Sequence, residues 1–224
     1  MKELLTERRV APSILSADFS KLGAQVEEVM AAGARVVHVD VMDGHFVPPI
    51  TIGPLVAASI AEQVHAAGGA LDVHLMIEAP ERQIEDFAKA GADAITFHAE
   101  ATPHANRILS AIRELDCLAG LAINPATPLA TVAELRGYFD FVLCMTINPG
   151  WGGQALLDGS EDKVARLSAL VGGVPIEVDG GIDATTVAPI AAAGASLFVA
   201  GSAVFGAADP AAAYAEIARA AGAA

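Results

Sequence analysis

Short apolar runs rich in β-branched residues alternate along the whole chain with longer stretches whose apolar positions recur at helical spacing. Eight strands are predicted: Val10 to Ile14, Val36 to Val41, Leu71 to Met76, Ala94 to His98, Leu118 to Ile123, Phe141 to Met145, Pro175 to Val178 and Leu197 to Ala200. A helix is predicted after each: Lys21 to Ala32, Pro54 to Ala66, Glu81 to Ala90, Ala105 to Leu115, Leu129 to Arg136, Ser160 to Leu170, Ala184 to Ala193 and Pro210 to Ala220. Several helices close on a glycine suited to the left-handed cap, as in Ala32-Gly33-Ala34, Ala90-Gly91-Ala92 and Ala193-Gly194-Ala195. Repeated strand–helix units imply a parallel sheet. Eight of them in 224 residues, with no Gly-x-Gly-x-x-Gly opening the first helix, predict an α/β protein with a (β/α)8 TIM barrel as a single domain over residues 1–224. Chemistry in such a barrel belongs at the C-terminal ends of the strands.

The second strand is the first place where polar groups break the pattern. Side chains alternate faces along a strand, so His38, Asp40 and Met42 share one face while Val37, Val39 and Val41 face the covering helices. Alone, a His and an Asp at this spacing read most simply as a buried hydrogen-bonded pair. Other strand ends supply matching groups, however: His74 on the third strand and Asp179 after the seventh. His38, Asp40, His74 and Asp179 thus converge on one rim as a mixed nitrogen and oxygen set, suited to Zn, Fe, Mn or Co as a divalent ion. The competing interpretation is a hydrogen-bond network without metal.

Composition narrows the partners. With 27 acidic against 13 basic residues and a net charge of −14, the chain lacks the clustered Lys and Arg that bind a phosphate backbone, so no nucleic acid is expected. Although 54% of residues are hydrophobic, much of this is alanine and no apolar run is long enough to span a bilayer, so no membrane partner is expected. The acidic and basic N-terminus lacks the pattern of an export signal, which points to the cytoplasm. Cys117 and Cys144 have no CxxC spacing and read as reduced core thiols.

Glycine-rich loops follow strands six, seven and eight: Asn148-Pro149-Gly150-Trp151-Gly152-Gly153-Gln154, Gly180-Gly181 and Gly201-Ser202. Loops after strands seven and eight commonly cradle a phosphate through bare backbone N–H groups and a helix N-terminus. None contains Lys or Arg, which suits a small sugar phosphate held by backbone dipoles. The alternative is that the glycines only permit tight turns. Met42, Met76 and Met145 end strands two, three and six and can form an apolar wall around a reactive centre. His45, His65 and His104 are expected in solvent, His98 and Glu100 in a supporting or structural role, and Asp72 and Glu177 one layer deeper as hydrogen-bonded carboxylates.

These segments together resemble the ribulose-phosphate 3-epimerase family. The resemblance runs from about Ala11 to Gly206. It is carried by Ala11-Pro-Ser-Ile-Leu-Ser-Ala-Asp-Phe19, His38-Val-Asp-Val-Met-Asp-Gly-His-Phe-Val-Pro48, Leu71-Asp-Val-His-Leu-Met-Ile77, Asn124-Pro-Ala-Thr-Pro128, Asn148-Pro-Gly-Trp-Gly-Gly-Gln154, Glu177-Val-Asp-Gly-Gly-Ile182 and Val199-Ala-Gly-Ser-Ala203. It implies a metal-dependent isomerase that interconverts D-ribulose 5-phosphate and D-xylulose 5-phosphate in the pentose phosphate pathway by proton transfer at C3. One divalent ion per subunit would be held by His38, Asp40, His74 and Asp179. Asp40 and Asp179 would be the acid/base pair. Substrate contacts would come from Ser13, His74, Gly150, Trp151, Gly152, Gly153, Asp179, Gly180, Gly181, Gly201 and Ser202, and the assembly would be a homo-oligomer. Trp151 departs from the Phe more usual at that loop position, which leaves the preferred ketose phosphate open.

Three rivals are weighed against this. An epimerase of the same type could act on a longer ketose such as D-allulose 6-phosphate. The decarboxylases and aldolases acting on orotidine and hexulose phosphates share the barrel but carry Asp-x-Lys-x-x-Asp, and Asp40-Val41-Met42 has no Lys. A catalytically silent sugar-phosphate-binding protein would need neither Asp40 nor Asp179 as a proton carrier.

Overall fold

The computed structural model describes Leu5 and residues 7–223. Its eight strands are β1 (Arg9–Pro12), β2 (Val36–Met42), β3 (Ala70–Met76), β4 (Ala94–His98), β5 (Leu118–Ile123), β6 (Phe141–Met145), β7 (Ile176–Asp179) and β8 (Leu197–Ala200). The helices are α1 (Leu22–Ala31), α2 (Pro54–Ala66), α3 (Ile84–Lys89), α4 (Ala105–Glu114), α5 (Ala130–Ala133), α6 (Ser160–Val171), α7 (Val187–Ala192), α8 (Ser202–Phe205) and α9 (Pro210–Ala221). All strand pairings in the sheet are parallel, in the order β1-β8-β7-β6-β5-β4-β3-β2, and a single bridge from Ser13 to His38 brings the two end strands together. This is the predicted α/β barrel.

Closure is weakest between β1 and β2 for a local reason. Arg9 and Ser13 donate their N–H groups to Ser196 and Ala200 next to and in β8, so strand alternation turns Pro12 toward β2, where it has no N–H to give. The chain then leaves the strand two residues earlier than the apolar run suggested. Ile14–Ser16 form a 3-10 turn whose Leu15 N–H donates to Ser13 Oγ at 3.3 Å.

Side-chain alternation divides the core as β-branched strands require. Val37, Val39 and Val41 join the large apolar layer between sheet and helices, whereas Ala11, Val36, Ala94, Phe141, Leu197 and Val199 plug the barrel's lower interior. Above that plug the interior becomes polar. Helix α8, absent from the sequence expectation, is too short for a helical period to show: four residues lie between Gly201 and Gly206. Val204 and Phe205 anchor it in the core. No helix of the described residues is long and apolar enough to cross a membrane.

Candidate active site

Register builds the site. β2 and β3 pair without offset, so His38 lies beside Asp72, Asp40 beside His74 and Met42 beside Met76, while β6 and β7 set Met145 beside Asp179. Because these positions share the inward face, one unshifted ladder stacks three layers: a carboxylate and an imidazole below, the reverse above them, and two methionines at the mouth. The loop after β2 is held by Thr51, whose hydroxyl accepts from Met42 N–H at 2.9 Å and donates to Asp40 O at 2.8 Å. Asp43 pins the same loop, accepting the N–H groups of His45 and Phe46 on one oxygen and that of Glu78 on the other. Thr146 joins the ends of β6 and β7 by donating to the carbonyls of Asp179 and Gly180.

The ligand-capable atoms of His38, Asp40, His74 and Asp179 all lie within 4.8 Å of one another. Asp40 Oδ1 is 3.2 Å from His74 Nδ1 and 3.3 Å from His38 Nε2, and Asp179 Oδ2 is 3.7 Å from His74 Nδ1. His38 Nε2 is fully buried and makes no hydrogen bond, which is costly unless something else takes its lone pair. Its Nδ1 is 2.7 Å from Asp72 Oδ2, the carboxylate–histidine arrangement that orients a metal ligand. Two imidazoles and two carboxylates so placed fit a divalent ion of the Zn, Fe, Mn or Co kind.

Electrostatics separate the two carboxyl groups that reach the surface of the site. For Asp40, burial opposes charge, but the charge of His38 and the hydrogen bond to His74 outweigh it and hold the group well below the usual carboxylate range. Asp179 goes the other way: burial, reinforced by the Asp40 carboxylate, pushes it up to about 7. His38 is lifted well above an ordinary imidazole by Asp40 and Asp72 despite burial, whereas burial holds His74 down to about 4. Ser13 Oγ donates to Asp40 Oδ2 at 2.5 Å, fixing that carboxylate in place.

Above these groups opens a cavity of about 420 Å³. Of the residues singled out in the sequence, Ser13, Asp40, Met42, Met76, Met145, Gly150, Trp151, Gly152, Gly153, Asp179, Gly180, Gly181, Gly201 and Ser202 line it. His38 and His74 lie beneath its floor with no exposed surface. His74, expected as a substrate contact, thus sits behind the carboxylates among the ligand-capable groups and does not line the cavity. None of the described lining residues is Lys or Arg. Gly180 and Gly181 have φ of 120° and 68°, and a Cβ on them would come within 2.3 Å of Ile147 and of the Leu156 backbone, so packing as well as turn geometry demands glycine there.

One sequence expectation changes, while His98 keeps the supporting role foreseen for it. Glu177 is buried as foreseen, but neither carboxyl oxygen has a hydrogen-bond partner, and burial together with the charge of Asp72 raises its pKa well above the usual range. His98 is in direct contact with His74, Nε2 to Nε2 at 2.9 Å. Ser16, Gln154 and Thr186 also line the cavity without having been singled out. Ser16 repeats the hydroxyl of Ser13 three residues on, across the turn; Gln154, closing the Gly-Trp-Gly-Gly loop, donates to the carbonyls of Asn148 and Trp151. His45, His65 and His104 are exposed as expected, and both cysteines are buried and unpaired.

Comparison with known proteins agrees with this geometry. The chain is 47% identical over 204 residues to ribulose-phosphate 3-epimerase of Serratia marcescens, covering 89% of this chain and 96% of that protein. It is 50% identical over 217 residues to ribulose-phosphate 3-epimerase 1 of Cupriavidus necator, covering 93% and 89%. Among solved structures, a complex of KGPDC from Streptococcus mutans superposes with a TM-score of 0.76 at 14% identity over 96% of this chain and 97% of that one. The 3-hexulose-6-phosphate synthase of Salmonella typhimurium gives 0.74 at 16% identity, over 95% and 98%. These distant likenesses share the barrel. The model of the ribulose-phosphate 3-epimerase family matches residues 9–205, and with the register-built cluster of His38, Asp40, His74 and Asp179 at the strand ends, the chain belongs to that family of isomerases.

Proposed function

We propose that this enzyme interconverts D-ribulose 5-phosphate and D-xylulose 5-phosphate, with Asp40 and Asp179 as the proton-transfer pair and His38, Asp40, His74 and Asp179 holding one divalent ion. The observation that carries the mechanism is the placement of two carboxyl groups, Asp40 from β2 and Asp179 from β7, in the wall of one cavity with ligand-capable oxygens within 4.8 Å of each other. Without the ion their surroundings already differ, His38 and His74 lowering Asp40 while burial and the Asp40 charge raise Asp179. Inversion at C3 needs a base on one face of the planar enediolate and an acid on the other. Asp40, from β2, takes the C3 proton; Asp179, from β7 on another side of the barrel, returns one to the opposite face. In the reverse direction the roles exchange. When bound, the ion supplies electrostatic stabilisation of the negative charge that develops as the proton leaves. Ser13 holds the Asp40 carboxylate toward C3, and Met42, Met76 and Met145 exclude water from the carbanion-like centre.

The phosphate belongs in the glycine cradle of Gly150 to Gly153, Gly180, Gly181, Gly201 and Ser202, held by backbone N–H groups. Exposed Ile50 and Leu55 offer apolar surface for a homo-oligomer, to be checked by sedimentation. The cytoplasm is the proposed location, consistent with the buried free thiols. Purified protein assayed with ribulose 5-phosphate, before and after chelation and with elemental analysis, tests the function. Turnover that follows metal content supports it, and no turnover with metal bound defeats it. Trp151 at the cavity wall, 59% exposed, keeps D-allulose 6-phosphate as the second substrate to try in the same assay.

A further inference from the structure

His98 ends β4 with no exposed surface, and the proton transfer makes no use of it. Its Nε2 lies 2.9 Å from His74 Nε2. Two ring nitrogens at that distance form a hydrogen bond only when one carries a proton and the other does not. His74 presents its other nitrogen, Nδ1, to the oxygens of Asp40 and Asp179 in the ligand set. A neutral imidazole that coordinates through Nδ1 carries its proton on Nε2, so His74 donates and His98 accepts. His98 must then carry its own proton on Nδ1, and there Glu100 Oε2 stands 3.3 Å away to receive it. The chain of bonds closes in one direction only, from the site outward.

We propose that His98 and Glu100 are positioning residues that lock His74 in its Nε2–H tautomer and so leave the Nδ1 lone pair for the metal. This rests on the metal site proposed above. The outer end of the relay is itself anchored: Glu100 accepts the Asn124 N–H at 2.8 Å and the Thr127 hydroxyl. Lys163, buried beneath that loop, donates to the carbonyls of Asn124, Pro125 and Thr127 at 2.6, 2.8 and 3.1 Å. Burial opposes ionisation of Glu100, but the bonds from His98, Thr127 and Asn124 hold its pKa down to about 2, so it remains an acceptor. His38 is oriented by a carboxylate directly, through Asp72; His74 is oriented by a carboxylate one imidazole removed.

The test combines Zn²⁺ affinity by chelator competition with ¹⁵N-histidine correlation spectra, which report the protonated ring nitrogen. In the zinc-loaded wild type, His74 is expected to be protonated at Nε2. His98→Leu removes the acceptor and should weaken Zn²⁺ binding about 10- to 100-fold, whereas His98→Gln, whose Oε1 reaches the place of Nε2, should stay within about threefold of wild type. In metal-free His98→Leu the His74 proton should appear on Nδ1. Unchanged affinity in a folded His98→Leu protein overturns the relay. Equal losses in the Leu and Gln variants also overturn it, because the effect would then be packing beside Phe46, whose ring lies 4.8 Å away. If His98→Leu does not fold, Glu100→Ala serves instead: it should move the His98 proton off Nδ1 and weaken binding, and unaltered tautomers would refute the proposal. A wild type that takes up no Zn²⁺ defeats the metal site itself, an outcome distinct from failure of the relay alone.

Discussion

Replacing Asp179 with Asn should make the metal-free protein more stable relative to wild type as the pH rises. In the folded protein burial and the Asp40 carboxylate lift Asp179 from 3.8 to about 7. The unfolded chain therefore ionises this group first, and stability is lost as the pH climbs from about 4 through 7; below that window the group contributes fully. At about 1.4 kcal/mol per pH unit the whole interval amounts to about 4 kcal/mol, of which about 2–3 falls between pH 5 and pH 8. Asn keeps the shape and cannot ionise. Whatever it costs in hydrogen bonding is common to both pH values and cancels in the comparison. Thermal melts in EDTA should show the variant's Tm, relative to wild type, rising by about 5–10 °C from pH 5 to pH 8. Adding a divalent ion should reverse the order at pH 8, since wild type alone has the full ligand set. A difference that does not grow with pH in EDTA would refute the electrostatic description of this carboxyl pair.

Other expectations concern separate parts of the structure. His38→Ala and His74→Ala should each lower metal affinity by at least about 100-fold along with turnover, because water replaces a buried imidazole poorly; full metal content with normal turnover in either variant would remove that residue from the ligand set. Gly181→Ala, at φ 68° and with its Cβ 2.3 Å from Leu156 N, should cost about 1–3 kcal/mol in denaturant unfolding and raise KM for the sugar phosphate, and a neutral result would mean the loop does not form the cradle. Burial raises both Cys117 and Cys144 to about 11, so a disulfide reagent at pH 8 should leave native protein unlabelled and find both thiols only after unfolding.

The barrel was legible because β-branched runs and helical stretches alternate without interruption, and the cluster of His38, Asp40, His74 and Asp179 because its members sit at strand ends on one side-chain parity. What could not be read was whatever depends on register between strands or on contacts across loops. The pairing of His38 with Asp72 and of Asp40 with His74 is a property of the ladder, and no spacing within either strand contains it. His98 was recognisable as a strand-end histidine, but its contact with His74 arises from β4 lying next to β3. Helix α8 escaped because four residues carry no period, and the early end of β1 because it turns on which neighbour Pro12 faces. Glu177 was expected to be bonded, as buried carboxylates usually are; the layer it occupies offers it only Asp72 and His38.

The proton-transfer pair is tested most directly by turnover in D₂O. Wild type should place solvent deuterium at C3 in the epimerised product. Metal-loaded Asp179→Asn, with its ion content measured first, should lose epimerisation by about 10²–10⁴ in rate while still exchanging the C3 hydrogen of one epimer, the one whose hydrogen faces Asp40, without inverting it. Rapid inversion by that metal-loaded variant would show that another group returns the proton, and Asp179 would lose its place as the second carboxylate of the mechanism.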